Sequence, residues 1–198
     1  MFARAAAFAL PLLTLPLLAL GACATAPETR VTRFHLDQPI APAAIVIEAR
    51  DSALANLGYE TYAQAVNGEL ARQGFTPAAR TAAELVAVVD VQREYSAGPI
   101  KPPPFSIGIG GATFGRSVGL GGGVTVPVGK ARTTELVQTN LAVQIKRRSD
   151  NTIIWEGRAI TQAKGGSEEA AAANAAPRLA AALFGGFPGE SGRTISVK

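Results

Sequence analysis

Residues 135–163, ELVQTNLAVQIKRRSDNTIIWEGRAITQA, decide the fold. Apolar and polar residues alternate through residues 135–147, residues 148–152 are typical of a turn, and the alternation returns in residues 153–163. A period of two indicates half-buried strands, so the stretch predicts a long antiparallel β-hairpin. We expect one face to carry Val137, Leu141, Val143, Ile145, Trp155 and Ala159, and the other to carry Glu156 and Arg158.

Further strands and a helix are predicted upstream of this hairpin. Residues 85–95 alternate in the same way, and Val31–Leu36 and Ile45–Glu48 indicate two shorter strands. Helical spacing of apolar residues followed by Gly74 predicts a helix over residues 58–73, because glycine suits the left-handed position after a helix. Its apolar face consists of Tyr59, Tyr62, Val66 and Leu70, and we interpret the two tyrosines as core residues rather than ligands.

A second helix is predicted downstream of the hairpin. Ser167, followed by Glu168 and Glu169, is typical of a helix start, because the hydroxyl group can cap it and the acids oppose its positive end. The helix should run to about Phe184, with a kink or break at Pro177. A short strand through Ile195 and Val197 could follow.

The order of these elements predicts an α+β fold. We expect a single domain over residues 31–198, with a mainly antiparallel sheet of four to six strands and two helices packed on one face. A long Gly- and Pro-rich insert, residues 98–133, interrupts the order. Its two alternating runs, Phe105–Ile109 and Val124–Val128, predict a hairpin of weak strands, because glycine costs backbone entropy. The alternative is a low-charge apolar surface that docks a partner or the membrane.

The first 22 residues are predicted to be a lipoprotein signal peptide. A single positive charge at Arg4 precedes an apolar run that is shorter than the roughly 20 residues of a spanning helix. The run ends in Leu20-Gly21-Ala22-Cys23, which resembles the lipobox of bacterial lipoproteins. We expect cleavage between Ala22 and Cys23, acylation of Cys23, and a lipidated tether over residues 23–30.

The residue after the lipobox bears on the destination membrane. Ala24 stands there rather than Asp, which favours the outer membrane by analogy with the sorting rule of enteric bacteria. Several acyl chains on one cysteine hold a protein at a bilayer without a spanning helix, so we expect an outer-membrane protein facing the periplasm. The alternative is a plain secretory signal cleaved after Ala24 or Ala26.

The composition excludes several kinds of chemistry. The 198 residues include one Cys and one His, so an internal disulfide and a Cys/His zinc site are both impossible. The net charge of +4 comes from scattered residues rather than from the dense basic stripe of a nucleic-acid surface. We therefore expect no metal, no cofactor and no nucleic-acid partner.

Three groups of residues are candidates for chemical sites. Gly115–Gly119 matches the GxSxG pattern around Ser117, but glycines follow it and the one histidine lies upstream, so a nucleophile elbow is disfavoured. His35 and Asp37 share a strand face and could touch, which we interpret as a surface pair. The basic run Lys146–Arg148 could attract lipid headgroups, although a solvated turn is the simpler interpretation. We expect no enzymatic activity.

Four stretches together resemble one protein family. They are the helix that ends in Gly74-Phe75, the approach Ala83-Glu84-Leu85 to the strand, the run IIWEGRA at residues 153–159, and Phe184 with Phe187-Pro188-Gly189. The last two resemble the family's "vWrG" strand and its closing "FP" motif. In this order, behind a lipobox, they are similar to the domain-of-unknown-function 4136 lipoproteins of Gram-negative bacteria. The resemblance implies no activity and no catalytic residue.

The sequence therefore favours a binding or structural module of the cell envelope, with an envelope protein as a possible partner. The alternative is a carrier of a small ligand or lipid, in a groove between the helices and the sheet. The least favoured function is a serine-type hydrolase that uses Ser117 or His35.

Overall fold

The computed structural model describes residues 26–54, 56–101, 105–109, 124–128 and 132–198. Among them, seven strands form one sheet and two more form a separate pair. In chain order the elements are β1 (Thr29–His35), β2 (Ala44–Ala49), α1 (Leu57–Arg72), β3 (Thr76–Pro77), β4 (Leu85–Lys101), β5 (Phe105–Ile109), β6 (Val124–Val128), β7 (Arg132–Arg147), β8 (Ile153–Lys164), α2 (Ala172–Phe184) and β9 (Thr194–Val197).

The main sheet is mixed, with the strand order β3-β2-β4-β7-β8-β1-β9. Strand β2 runs parallel to both β3 and β4, whereas the other neighbours are antiparallel. The α+β class is confirmed, but the prediction of a mainly antiparallel sheet of four to six strands was wrong. Helix α1 returns the chain to the edge of the sheet at which β2 begins, so β3 and β4 run in the same direction as β2. Strand β3 has two residues, one of them proline, and so leaves no periodic signal.

The predicted central hairpin is confirmed. Strands β7 and β8 pair with Leu141 opposite Ala159 and Ile145 opposite Trp155. These four residues are fully buried. Both helices pack on this face, since their apolar residues belong to the same hydrophobic core as the inward residues of β1, β2, β4, β7 and β8. None of the described helices is long and apolar enough to cross a membrane.

Helix α1 begins and ends close to the predicted positions. The Asn56 side chain caps its start by accepting a hydrogen bond from the backbone N–H of Tyr59 at 3.1 Å. Gly74, just after the helix, has φ +92°, a conformation that glycine adopts without strain. Local capping and helical periodicity therefore specify this element together.

Helix α2 differs from its prediction at two points. Ser167 precedes a short 3-10 turn, Glu168–Ala170, and makes no capping hydrogen bond, so the α-helix begins only at Ala172. No break occurs at Pro177, since the helix runs uninterrupted to Phe184. Pro177 and Ala173 are both exposed, so the carbonyl group that loses its donor to proline can bind water.

Strands β4 and β7 continue past the end of β8 as a two-stranded arm, residues 97–101 and 132–135. Their pairing runs from Ala97 opposite Glu135 to Lys101 opposite Arg132, with an irregularity between Ala97 and Ile100. Strands β5 and β6 form an antiparallel ribbon that follows the arm along the chain. The described parts of the insert thus agree with the predicted hairpin, and residues 102–104, 110–123 and 129–131 lie outside the described residues.

Candidate functional site

Three of the residues singled out from the sequence lie outside the described part of the chain. They are Ala22 and Cys23 at the predicted cleavage and lipidation site, and Ser117 in the GxSxG match. Their roles stay predictions.

His35 ties the end of β1 to the C-terminal segment. The ring nitrogen Nε2 lies 3.1 Å from the Gly189 carbonyl oxygen, and Nδ1 lies 3.1 Å from the Leu36 carbonyl oxygen. Nδ1 also lies 3.9 Å from Asp37 Oδ1. The Ser191 hydroxyl group accepts from the backbone N–H of His35 at 3.2 Å and does not contact the ring. The predicted proximity of His35 and Asp37 is thus observed, and the imidazole faces backbone carbonyl groups rather than a nucleophile.

The basic residues at the hairpin tip are largely engaged within the protein. Arg147 pairs with Asp150 at 2.9 Å, and Arg148 donates to the carbonyl groups of Arg80 and Ala83. The backbone N–H of Thr152 holds the pKa of Asp150 below its usual value, and Arg147 contributes in the same direction. These contacts favour the interpretation of the tip as a solvated turn.

Three of the four stretches that resemble the family motifs meet in one aromatic cluster. Trp155 stacks on Phe184 with ring centroids 5.2 Å apart and lies 5.3 Å from Phe187. Phe75 meets Phe187 edge to face at 5.9 Å. Trp155 Nε1 also donates to the carbonyl oxygen of Pro188 at 3.0 Å. The motifs therefore secure the packing of the domain, because buried aromatic pairs add stability beyond the area they bury.

A cavity of about 190 Å³ opens beside the first turn of α1, between the end of β2, the middle of β4 and the start of α2. We call it the α1 groove. It combines apolar walls with two arginines, two aspartates and two tyrosines. It is lined by Ala49, Arg50, Asp51, Asn56, Gly58, Tyr59, Tyr62, Val89, Asp90, Val91, Arg93 and Ala172.

The two arginines of the α1 groove are held differently. Arg50 Nε pairs with Asp90 Oδ2 at 3.1 Å, which neutralises both charges. Arg93 Nη2 donates to the Ala170 carbonyl oxygen at 2.7 Å, and no acidic group within the described ranges forms an ion pair with it. Arg93 therefore keeps a positive charge at the groove wall, next to the positive end of α1.

Tyr62 lines the α1 groove, and its hydroxyl group is buried. The residue is 1% exposed, and its hydroxyl oxygen has no well-formed hydrogen bond among the described residues. Burial raises its pKa, while the charge of Arg93 and the neighbouring Thr139 side chain oppose the rise. Burial likewise raises the pKa of Tyr59, together with the charges of Glu60 and Glu48. Both phenol groups are therefore neutral hydrogen-bonding groups near pH 7.

The α1 groove is suited to holding a polar group. Among the described residues, no cluster of three His, Cys, Asp or Glu side chains could hold a metal ion. Buried polar atoms usually have a partner, and the Tyr62 hydroxyl group in the groove wall, near the charge of Arg93, has no well-formed hydrogen bond among the described residues. Sequence reasoning placed Tyr62 in the core but missed Arg93. The available signal was its position, because Arg93 continues the inward series 85, 87, 89 and 91 of β4.

Comparison with known proteins places the chain in a family. A family model described as a domain of unknown function, DUF4136, matches residues 30–189. An uncharacterized protein of Zymomonas mobilis is 48% identical over 80 residues, which are 40% of this chain and 30% of that protein.

Two solved structures show a weak likeness. A PDZ domain protein from Parabacteroides distasonis has a TM-score of 0.46 at 11% identity, over 86% of this chain and 39% of that one. A PelC dodecamer from Paraburkholderia phytofirmans has a TM-score of 0.41 at 11% identity, over 78% of this chain and 94% of that one. Because the family model spans well over half of the sequence, this chain belongs to the DUF4136 family.

Proposed function

We propose that the chain is an outer-membrane lipoprotein that faces the periplasm, and that its domain is a non-enzymatic binding or structural module of the cell envelope. The observation that carries the proposal is the run Leu20-Gly21-Ala22-Cys23, with the one cysteine of the chain at the position that receives the lipid. Ala24 after the cysteine supports the outer membrane as its destination.

The start of the domain supports a short tether. The Thr161 hydroxyl group donates to the Glu28 carbonyl oxygen at 3.1 Å, which fixes the chain just before β1. The six residue steps from Cys23 to Thr29 span at most about 21 Å when fully extended. An acylated Cys23 would therefore keep the domain close to the bilayer surface.

We expect Cys23→Ser to abolish acylation. The thiol group is the atom to which the diacylglycerol would attach, so the variant should lose all incorporation of radiolabelled palmitate and leave the membrane fraction. Labelling of the immunoprecipitated protein and fractionation of cells measure the two effects. A variant of the neighbouring residue, Ala26→Ser, serves as the control and should label normally. Persistent labelling of the Cys23→Ser protein would contradict the lipoprotein proposal.

The second candidate is a carrier of a small polar ligand, and the α1 groove favours it, because Arg93 stands in its wall without an acidic partner among the described residues and the buried Tyr62 hydroxyl group lacks a well-formed hydrogen bond. Tyr62→Phe should then stabilise the ligand-free protein by about 1 kcal/mol, because it removes a buried group that lacks a partner. Denaturant unfolding measures the difference, and Tyr59→Phe, at a half-buried position of the same groove, is the matched control. A loss of stability in Tyr62→Phe would show that the hydroxyl group has a structural partner and would contradict the carrier function.

A further inference from the structure

The pairing of β5 with β6 sorts the residues of the ribbon by face. Phe105, Ile107 and Ile109 stand directly opposite Val128, Val126 and Val124. Directly opposed residues of an antiparallel pair share a face, and so do alternate residues of a strand. These six apolar positions therefore form one face of the ribbon. The positions of Ser106, Gly108, Thr125 and Pro127 form the other face.

The base of the ribbon is positively charged. Lys101 stands directly opposite Arg132, and like charges in opposed positions destabilise a strand pair unless an anion lies nearby. The sequence from residue 98 to residue 134 also contains Arg116 and Lys130 but no acidic residue. An apolar face with cations at its base complements a bilayer that carries anionic headgroups.

The arm and the N-terminal tether leave the domain at the same end. The pairing puts Thr29, Thr161, Thr139 and Arg93 in one row across β1, β8, β7 and β4. Strand β1 runs from this row towards the hairpin tip, so the chain that precedes Thr29 leaves on the side of the arm. Strand β4 continues beyond the row to Lys101, which stands four residues before the ribbon in the sequence.

The lengths of the arm and the tether bring the ribbon to the membrane. The eight residue steps from Arg93 to Lys101 extend the arm by about 26 Å, whereas Cys23 reaches at most about 21 Å beyond Thr29. Four residue steps separate Lys101 from Phe105, so the ribbon begins at most about 14 Å from the end of the arm. Because the arm and the tether leave the domain at the same end and the arm is the longer of the two, an acylated Cys23 would hold the end of the arm within reach of the bilayer.

We propose that the β5–β6 ribbon is a membrane-docking surface, with its apolar face on the bilayer and Lys101 and Arg132 at the level of anionic headgroups. The location of this bilayer rests on the proposed acylation of Cys23. Docking would give the lipoprotein a second attachment besides the acyl chains and fix the orientation of the α1 groove relative to the membrane. A bilayer contact by the ribbon is independent of acylation and can be measured without it.

Flotation with lipid vesicles tests the ribbon. The chain from Ala24 onwards, without acyl groups, keeps every described strand and helix and should float with vesicles of phosphatidylethanolamine and phosphatidylglycerol. We expect Ile107→Asp to reduce the bound fraction at least about tenfold, because it places a charge on the lipid face. Ser106→Asp adds the same charge one residue away on the opposite face and should stay within about twofold of the unsubstituted protein.

A separate measurement tests the contribution of the positive charges of Lys101 and Arg132 to membrane binding. Lys101→Gln with Arg132→Gln should weaken binding to the anionic vesicles and leave weak binding to phosphatidylcholine vesicles unchanged. Equal losses for Ile107→Asp and Ser106→Asp, or no flotation of the unsubstituted chain, would overturn the proposal. Matching thermal unfolding of the variants controls for folding. If the chain binds vesicles but Cys23 is not acylated in cells, the lipoprotein proposal is contradicted and the docking proposal for the ribbon stands.

Discussion

Arg33→Met should destabilise the domain by about 3–5 kcal/mol, because the substitution removes the cap of α2. The Arg33 guanidinium group is buried beneath the end of this helix. Its Nε donates to the carbonyl oxygen of Leu183, and its Nη2 donates to those of Ala182 and Gly185, each at 2.8 Å. These carbonyl groups belong to the last turn, where no backbone donor follows and the helix dipole is negative.

The helix end takes the place of a carboxylate partner for Arg33. Burial lowers the pKa of the guanidinium group, but arginine stays charged in proteins, so the three hydrogen bonds are charge-assisted. Methionine would fill much of the same space and leave the three carbonyl groups without their donor. Chemical denaturation followed by far-ultraviolet circular dichroism measures the loss.

The Arg33→Lys variant tests how much of the stabilisation comes from the positive charge of Arg33 and how much from the geometry of its hydrogen bonds. A lysine ammonium group keeps the positive charge, but it cannot match the planar fork that reaches three carbonyl groups at once. We expect its loss of stability to lie between those of the methionine variant and the unsubstituted protein. An Arg33→Met protein as stable as the parent would show that packing of the aliphatic stem, rather than capping, is what Arg33 contributes.

Gly157→Ala should cost about 3 kcal/mol, at the upper end of what overpacking of a core usually costs. A Cβ atom at this position would overlap Trp155 Cη2 and lie 2.8 Å from Leu183 Cδ1. Both neighbours are fully buried, and Trp155 is also stacked on Phe184, so neither can move away at low cost. Thermal unfolding should show a lower midpoint.

Gly68→Ala is the matched control for this prediction. Gly68 lies within α1, and a Cβ atom there would have no neighbour within 4 Å among the described residues. Alanine is the better helix former, so this variant should be more stable by about 0.5–1 kcal/mol. Equal effects of the two substitutions would contradict the close contact between Trp155 and Gly157 as the reason for glycine in the motif.

The sequence predicted the parts of the fold that depend on local order. The alternation in residues 135–163 gave the correct hairpin faces, because the side-chain period of a strand does not depend on its partners. Helical spacing with Gly74 located α1 to within one residue at each end. The glycine and tryptophan of the IIWEGRA run could be recognised as a motif, but their reason, a ring lying over a residue without a Cβ atom, needed the structure.

The features that the sequence could not predict all depend on distant pairings. The parallel placement of β2 next to β4 follows from the path of α1 across the sheet, and β3 is too short for any period. The α1 groove joins Arg50, Tyr62 and Arg93 from three different elements. Arg33 occupies a buried position of an alternating strand, where a charge conflicts with the local pattern and needs backbone carbonyl groups as partners. Arg93 is exposed and donates to one carbonyl group, that of Ala170.

By itself the sequence determined the family, the α+β class, the central hairpin and the ends of α1, because these follow from periodicity, caps and short motifs. The lipobox remains a sequence prediction that waits for a chemical test. Only the tertiary structure decided that the motif residues form packing contacts, that the buried Tyr62 hydroxyl group lacks a well-formed hydrogen bond among the described residues, and that the apolar positions of the ribbon share one face. The physical reason is that burial, hydrogen-bond satisfaction and strand register depend on residues far apart in the chain.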